Sequence, residues 1–281
     1  MAETFLEGGA TIPKITVSIP TYNVAKYIVE TLNSVKRQSV KPFEVIVVDD
    51  GSTDGTVGVV EKWIKSNNYL VKIYPQTTNG GIGVARQRCL EYATGDYVAF
   101  LSADDCYDRR FLEKSQSFLN GVTATYTTYY RCDKNLFVKS VFRPPAFSRG
   151  SVIGWALEKN MYVNFSSIII PKQLGVGFEE SLRHGEDLIF LLDTLLAGLN
   201  WHLIDEPLVY YRIHNLMGSV TQHPREFEEL WTYLKDRLSL LGIHKNVVDK
   251  AYVASRKNAF PNLPNRLIRK VYHKLKPLLA S

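Results

Sequence analysis

The stretch Phe43-Glu44-Val45-Ile46-Val47-Val48-Asp49-Asp50-Gly51-Ser52-Thr53-Asp54-Gly55 carries the fold in miniature. Its first half, Phe43–Val48, is short, β-branched and almost wholly apolar, the pattern of a strand buried on both faces. Its second half supplies the carboxylates, hydroxyls and glycines of a tight turn into a helix. The same succession recurs on either side. Ile15–Ile19 runs into Pro20-Thr21-Tyr22-Asn23, and Tyr97–Leu101 runs into Ser102-Ala103-Asp104-Asp105. Leu70–Tyr74 is a further strand-like run. Between these runs apolar residues fall at helical spacing: Tyr27, Ile28, Leu32 and Val35, then Val57, Val60 and Ile64, and more loosely Val84, Cys89 and Tyr92. Strand–helix alternation predicts βαβ units, hence an α/β fold with a mainly parallel central sheet flanked by helices.

In such a sheet, ligands bind beyond the carboxyl ends of the strands. Three polar clusters (20–23, 49–52 and 102–105) follow three strands, so they converge on one rim. Each cluster alone is also compatible with turns and helix caps. Beyond Gly121 the pattern changes. Val122–Arg131 and Leu136–Phe142 predict a hairpin, Ser166–Ile170 a strand, Leu188–Leu196 a helix, and His202–Ile204 and Leu208–Ile213 two strands. Pro224–Leu241 and Val247–Lys257 predict helices. The expected division is an extension at 1–12, a catalytic domain at 13–220 split near 120, and C-terminal helices with a basic tail at 221–281.

Charge is unevenly placed. The chain has 34 Lys and Arg against 28 Asp and Glu, yet seven of the basic residues and no acidic ones lie in 251–281. The remaining 250 residues carry a net −1, which argues against a nucleic-acid-binding body. Cys89, Cys106 and Cys132 form no CxxC pair, so neither a zinc site nor a disulfide framework is indicated and a reducing, cytoplasmic setting fits. Residues 1–11 lack the apolar stretch of a secretory signal, and no run approaches the ~20 apolar residues of a membrane span.

The chemistry resides in paired carboxylates. Asp104 and Asp105 repel one another unless a cation intervenes, and hard divalent ions such as Mg²⁺ or Mn²⁺ commonly bridge carboxylates to substrate phosphates. The plainer reading is a cap for a helix at Asp108–Leu119. Glu186-Asp187, ahead of an apolar helix, offers a general base, or simply negative charge at a helix N-terminus. His214, at a strand end just past Arg212, suits a metal or a diphosphate. Gly80-Gly81-Ile82-Gly83 fails as a dinucleotide fingerprint, because it follows the third strand and Arg86 stands at the last glycine position.

Together, Ile-Pro-Thr-Tyr-Asn (19–23), Val-Val-Asp-Asp-Gly-Ser-Thr-Asp-Gly-Thr (47–56), Asn-Gly-Gly-Ile-Gly-Val-Ala-Arg (79–86) and Ala-Thr-Gly-Asp-Tyr-Val-Ala-Phe-Leu-Ser-Ala-Asp-Asp (93–105) resemble the family 2 inverting glycosyltransferases. The likeness resumes at Gly185-Glu186-Asp187 and Tyr211-Arg212-Ile213-His214. It implies the GT-A fold and a metal-dependent, inverting transfer of a sugar from a UDP-sugar to a hydroxyl of a glycan, polymeric or lipid-linked. It further implies that Tyr22, in the loop Pro20–Asn23, packs on the uracil, that Asp50 beside Asp49 holds the base, and that Gly81 and Arg86 lie near the nucleotide. Asp104 falls toward the ribose or diphosphate, Asp105 on Mn²⁺ or Mg²⁺ with His214 completing the shell, and Asp187 at the general base. The donor and acceptor region takes in Tyr162, Asn164, Arg183, His184 and Glu186. Ser102 stands where many members carry Asp, which keeps open a second reading, a nucleotide-sugar-binding protein that has lost catalysis. The tail at 263–281 reads as a basic amphipathic helix suited to an anionic membrane at the inner face, or as a helix packed on the core.

Overall fold

The computed structural model describes residues 12–158, 163–214 and 224–259. Tyr162 and the tail at 263–281 lie outside the described residues, as does the extension at 1–11. Four strands alternate with three helices through the first hundred residues: β1 (Ile15–Thr21), α1 (Ile28–Lys36), β2 (Glu44–Asp49), α2 (Thr56–Asn67), β3 (Lys72–Pro75), α3 (Ile82–Tyr92) and β4 (Tyr97–Phe100). There follow β5 (Cys106–Tyr107), α4 (Phe111–Gln116), β6 (Thr123–Cys132), β7 (Val138–Phe142), α5 (Arg149–Glu158), β8 (Ile168–Pro171), α6 (Glu186–Leu196), β9 (Asn200–Arg212), α7 (Pro224–Leu240) and α8 (Lys245–Ala259).

Among the described residues one sheet holds nine strands in the order β3-β2-β1-β4-β8-β6-β9-β5, with β7 off this path, paired to the Tyr129–Cys132 end of β6. β1 to β4 pair in parallel, as their βαβ connections require. β8 then runs antiparallel to β4 and β6, so the second half is mixed.

The unbroken apolar runs are explained by two cores, one on each face. In β2, Val45 and Val47 face one core while Ile46 and Val48 face the other. β4 alternates likewise, Tyr97 and Ala99 on one side and Val98 and Phe100 on the other. Residues at successive positions of a strand point to opposite faces, so a strand covered on both must be apolar throughout. Ile28 and Leu32 of α1, with Trp63 of α2, cover the first face; Cys89 of α3 and Leu188–Leu192 of α6 cover the second. Leu230, Trp231 and Leu234 of α7 and Val248 of α8 enter that second core, so these helices belong to the same globule as the sheet. Each such burial is worth about 1.5–3 kcal/mol.

The structure differs from the sequence reading in four places. β9 is one continuous strand rather than two, and the register breaks opposite Thr127 and Thr128 absorb the Asp205-Glu206-Pro207 interruption. Cys106-Tyr107 forms a short strand on β9. The helix after it is accordingly shorter than Asp108–Leu119, starting at Phe111, and it is Asp108, not Asp104 or Asp105, that accepts the Arg110 N–H just ahead of it. α5 was not anticipated; Val152 and Ile153 are both buried, so it shows no polar stripe to mark its period. Among the described residues no helix is long and apolar enough to cross a membrane.

Candidate active site

A cleft of about 590 Å³ opens beyond the carboxyl ends of β1 and β4. This is the point where the sheet order reverses, since β2 and β3 lie to one side of β1 and β4 to the other. Pro20, Tyr22, Ser102 and Asp104 line it from the strand ends, Ile82 and Arg86 from α3, and Asn164, His184, Glu186 and Asp187 from the far wall. Tyr129, Arg131 and Tyr211 close it from β6 and β9.

The adjacent carboxylates Asp104 and Asp105 face different worlds. Asp104 lines the cleft, and its Oδ2 lies 2.8 Å from Nε2 of His214. The His214 ring is stacked on Tyr27, with centroids 5.1 Å apart. Asp105, expected on the metal, is instead 1% exposed and its oxygens are already engaged. Oδ2 accepts from the Ser166 hydroxyl at 2.5 Å and Oδ1 from the Arg212 N–H at 2.9 Å. Burial first, and the neighbouring Asp104 charge second, push its carboxyl well above the usual range.

Arg212 ties this region together. Its side chain is buried; Nε donates to the Asp104 carbonyl and Nη1 to the Lys134 carbonyl, each at 2.6 Å, while Nη2 pairs with Glu30 of α1. Its guanidinium also lies 4.6 Å from the Tyr27 ring centroid. The strand end bearing His214 is thereby fixed against the loop bearing Asp104. Ser166 adds a second tie, because its hydroxyl accepts the Ser102 N–H at 3.0 Å while donating to Asp105. Asn164 caps the short 3₁₀ turn Phe165–Ser167 that presents Ser166, its Oδ1 accepting the Ser166 N–H at 2.7 Å.

The residues expected around a nucleotide divide by placement. Tyr22 is 47% exposed at the cleft mouth, free to stack. Thr21, Asn23 and Asp49 hold the loops instead of lining the cleft. Thr21 bonds the Val48 carbonyl, Asn23 accepts from the Thr53 N–H at 2.8 Å, and Asp49 accepts from both the N–H and hydroxyl of Ser52. The Asp50 carboxylate receives the Gly80 and Gly81 N–H groups at 2.8 and 2.7 Å, which fixes the turn into α3. Burial raises its pKa against the lowering effect of those two bonds. Gly81 has φ +100°, a backbone position that only glycine adopts without strain, and Arg183 packs over it while bonding Asn79.

On the far wall, Gly185 (φ +82°) turns the chain into α6, and a side chain there would collide with Leu230. Asp187 sits half-buried in the first helical turn and faces the cleft. Glu186 is 3% exposed and forms an ion pair with Arg86 of α3, which is 7% exposed. Burial, then the Asp187 charge, raise the Glu186 carboxyl to about 7 against the pull of Arg86. The Arg86 guanidinium also lies 4.2 Å from the Phe165 ring centroid, and among the described residues its buried Nε has no hydrogen-bond partner.

Ser166, Tyr27, Glu30, Tyr129 and Arg131 carry no mark of a site in the sequence. A serine, a tyrosine or an arginine inside a strand or helix carries no local signal of where it points.

Fold and cleft together define an α/β transferase of nucleotide-sugar type, and comparison with known proteins agrees. The model of Glycosyl transferase family 2 matches residues 16–162. TuaG of Bacillus subtilis, named as a glycosyltransferase of teichuronic acid biosynthesis, is 31% identical over 208 residues, covering 72% of this chain and 80% of TuaG. The poly(ribitol-phosphate) β-N-acetylglucosaminyltransferase TarS of Staphylococcus aureus is 30% identical over 227 residues, 77% of this chain and 39% of TarS. The crystal structure of TarS 1–349 with UDP-GlcNAc superposes with a TM-score of 0.62 at 22% identity, covering 95% of this chain and 86% of that one. The mannosyltransferase PcManGT of Pyrobaculum calidifontis, solved with GDP-Man and Mn²⁺, gives 0.57 at 21% identity, covering 96% and 81%. These likenesses show the GT-A fold. The chain belongs to glycosyltransferase family 2 and is a glycosyltransferase.

Proposed function

We propose that this enzyme transfers a sugar from a UDP-sugar to a hydroxyl of a glycan acceptor, with inversion at the anomeric carbon and with a divalent cation in the cleft. One observation carries the reading: Asp187 and the Asp104–His214 pair line or adjoin a single cleft, a base candidate and a metal site sharing one volume.

The donor set fits a cation that substrate completes. Among the described residues no three His, Cys, Asp or Glu side chains gather into a self-sufficient metal centre. Asp104 offers an oxygen and His214 a nitrogen, 2.8 Å apart. Two protein donors suit Mg²⁺ or Mn²⁺, which keep waters and take the remaining oxygens from substrate phosphates. The cation belongs on Asp104 in this reading, and Asp105 anchors the loop beneath it. Bound there, the ion supplies Lewis-acid neutralisation of the departing diphosphate.

The chain's own residues do the rest. Tyr22 stacks on the base at the cleft mouth, and Asp50 holds the Gly80-Gly81 turn. Asp187 accepts the proton of the attacking hydroxyl, a role worth about 10²–10⁴ in rate. Inversion follows from a single displacement, and the neighbouring carboxylate is committed elsewhere, to Arg86. UDP is the favoured nucleotide because a structure of TarS contains UDP-GlcNAc. The names of TuaG and TarS, with their teichuronic acid and poly(ribitol-phosphate), favour an anionic polymer as acceptor.

The test is titration calorimetry with UDP in Mn²⁺ and in EDTA, followed by UDP release from a panel of UDP-sugars. Metal-dependent binding and turnover of one donor is the expected result. Binding without turnover of any donor, even with polymer and lipid-linked acceptors supplied, indicates a binding protein; absence of UDP binding refutes the nucleotide.

A further inference from the structure

Arg131 is a cation in the cleft that the proposed mechanism leaves unused. It projects from β6 into the cleft wall and is half-buried. The other arginine there, Arg86, is paired with Glu186. Two neighbouring cations are paired as well, Lys139 with Asp133 and Arg143 with Asp205. Among the described residues no carboxylate lies within ion-pair distance of Arg131, although Asp104 and Asp187 line the same cleft.

Its position is set with care. The β6–β7 ladder shifts register between Arg131 and Cys132, the kind of irregularity that re-aims a side chain beside a site. The guanidinium is stacked 4.4 Å from the Phe142 ring centroid. Across β9 its ladder partner is Tyr211, which immediately precedes Arg212. It hydrogen-bonds the Tyr129 hydroxyl and its charge reaches that of Tyr211; burial raises both pKa values and Arg131 lowers them. The guanidinium is thus held by aromatic neighbours, a bond to the Tyr129 hydroxyl among them, and among the described residues no carboxylate pairs with its other donors.

We propose that Arg131 binds an oxyanion, a phosphate or carboxylate group, of a bound substrate and so selects a charged substrate over a neutral one. A planar guanidinium with five donors in fixed directions matches two oxygens of such a group, and in a half-buried site the attraction is weakly screened. The oxyanion has two possible sources, the donor diphosphate and a charged group on the acceptor. This inference rests on the proposed UDP-sugar reading, and its test separates the two sources.

The experiment measures binding by titration calorimetry for wild type, Arg131→Gln and Arg131→Lys, with thermal melting to confirm that each variant folds. One arm compares UDP with uridine in Mn²⁺. The other compares sn-glycerol 3-phosphate with glycerol, on protein both free and loaded with UDP. Arg131→Gln is expected to weaken one phosphate-bearing probe about tenfold or more and to spare its neutral counterpart, with Arg131→Lys recovering only part of the loss. A loss confined to UDP assigns the diphosphate, and one confined to glycerol phosphate assigns the acceptor. Equal binding by wild type and Arg131→Gln in both arms overturns the proposal, as does an equal loss for charged and neutral probes. Should wild type fail to bind UDP, the UDP-sugar reading falls, and the glycerol phosphate arm on unloaded protein still decides the role of Arg131.

Discussion

The Arg86 guanidinium and the Glu186 carboxylate form a buried ion pair one residue from Asp187. The pair joins α3 to α6, and Gly83 permits the approach, since a side chain there would meet the Glu179 carbonyl at 2.9 Å and Glu186 Cβ at 3.5 Å. Arg86→Met removes the counter-charge and leaves Glu186 between burial and Asp187. An unpaired buried charge costs about 3–5 kcal/mol. Glu186 titrates near 7 with Arg86 present, so without Arg86 it holds its proton to higher pH. The folded-state pKa is raised, so stability linked to this group is present at low pH and lost as pH rises. Urea unfolding of Arg86→Met is therefore expected to show a small penalty at pH 5 and a growing one from pH 7 to 9.

Asp187 bonds only the N–H of Leu188 among the contacts described for its side chain. Asp187→Asn retains that acceptor, so the fold and donor binding are expected to survive. The transfer rate is expected to fall by about 10²–10⁴. Circular dichroism, UDP calorimetry and UDP-release kinetics together check the separation.

Asp104 and Asp105 are expected to fail in opposite ways. Asp105→Ala leaves the Arg212 N–H and the Ser166 hydroxyl without their acceptor, at about 1–3 kcal/mol for each buried group. Its melting temperature should drop markedly. Asp104→Ala should melt near wild type and lose Mn²⁺-dependent UDP binding. Thermal melts and calorimetry on both variants decide which aspartate serves the metal.

Glu44 gives a stability prediction remote from the cleft. Burial raises its carboxyl, but bonds from Lys72, from the Thr94 N–H and hydroxyl and from Thr16 outweigh that and bring it down to about 2. A depressed pKa contributes stability above the unfolded value of about 4.5, lost as pH falls toward 2. Glu44→Gln is expected to cost about 2 kcal/mol at pH 7, allowing for solvent screening of the partly exposed Lys72, and much less at pH 2.5. Unfolding curves at both values test this.

What the sequence disclosed depended on how local each signal was. β1 to β4 and α1 to α3 were legible because their apolar runs are contiguous or periodic and their loops carry side chains of unmistakable type. α5 was not, since its core-facing residues leave no stripe. Which of Asp104 and Asp105 faces the cleft was equally hidden: neighbouring side chains diverge, and the choice was made by Ser166 and Arg212, 61 and 107 residues away. The loop-holding roles of Asn23 and Asp49 were hidden for a related reason, because a turn residue and a ligand-binding residue look alike until their hydrogen bonds are seen. Arg131 required the hairpin register, which a one-residue irregularity sets.

The most direct measurement is UDP release from UDP-N-acetylglucosamine and related UDP-sugars, in Mn²⁺, by wild type and Asp187→Asn, at donor concentrations shown by calorimetry to saturate both. Equal binding is expected, with a rate in Asp187→Asn lower by about two to four orders of magnitude. Turnover in Asp187→Asn at the wild-type rate would contradict the assignment of Asp187 as the base.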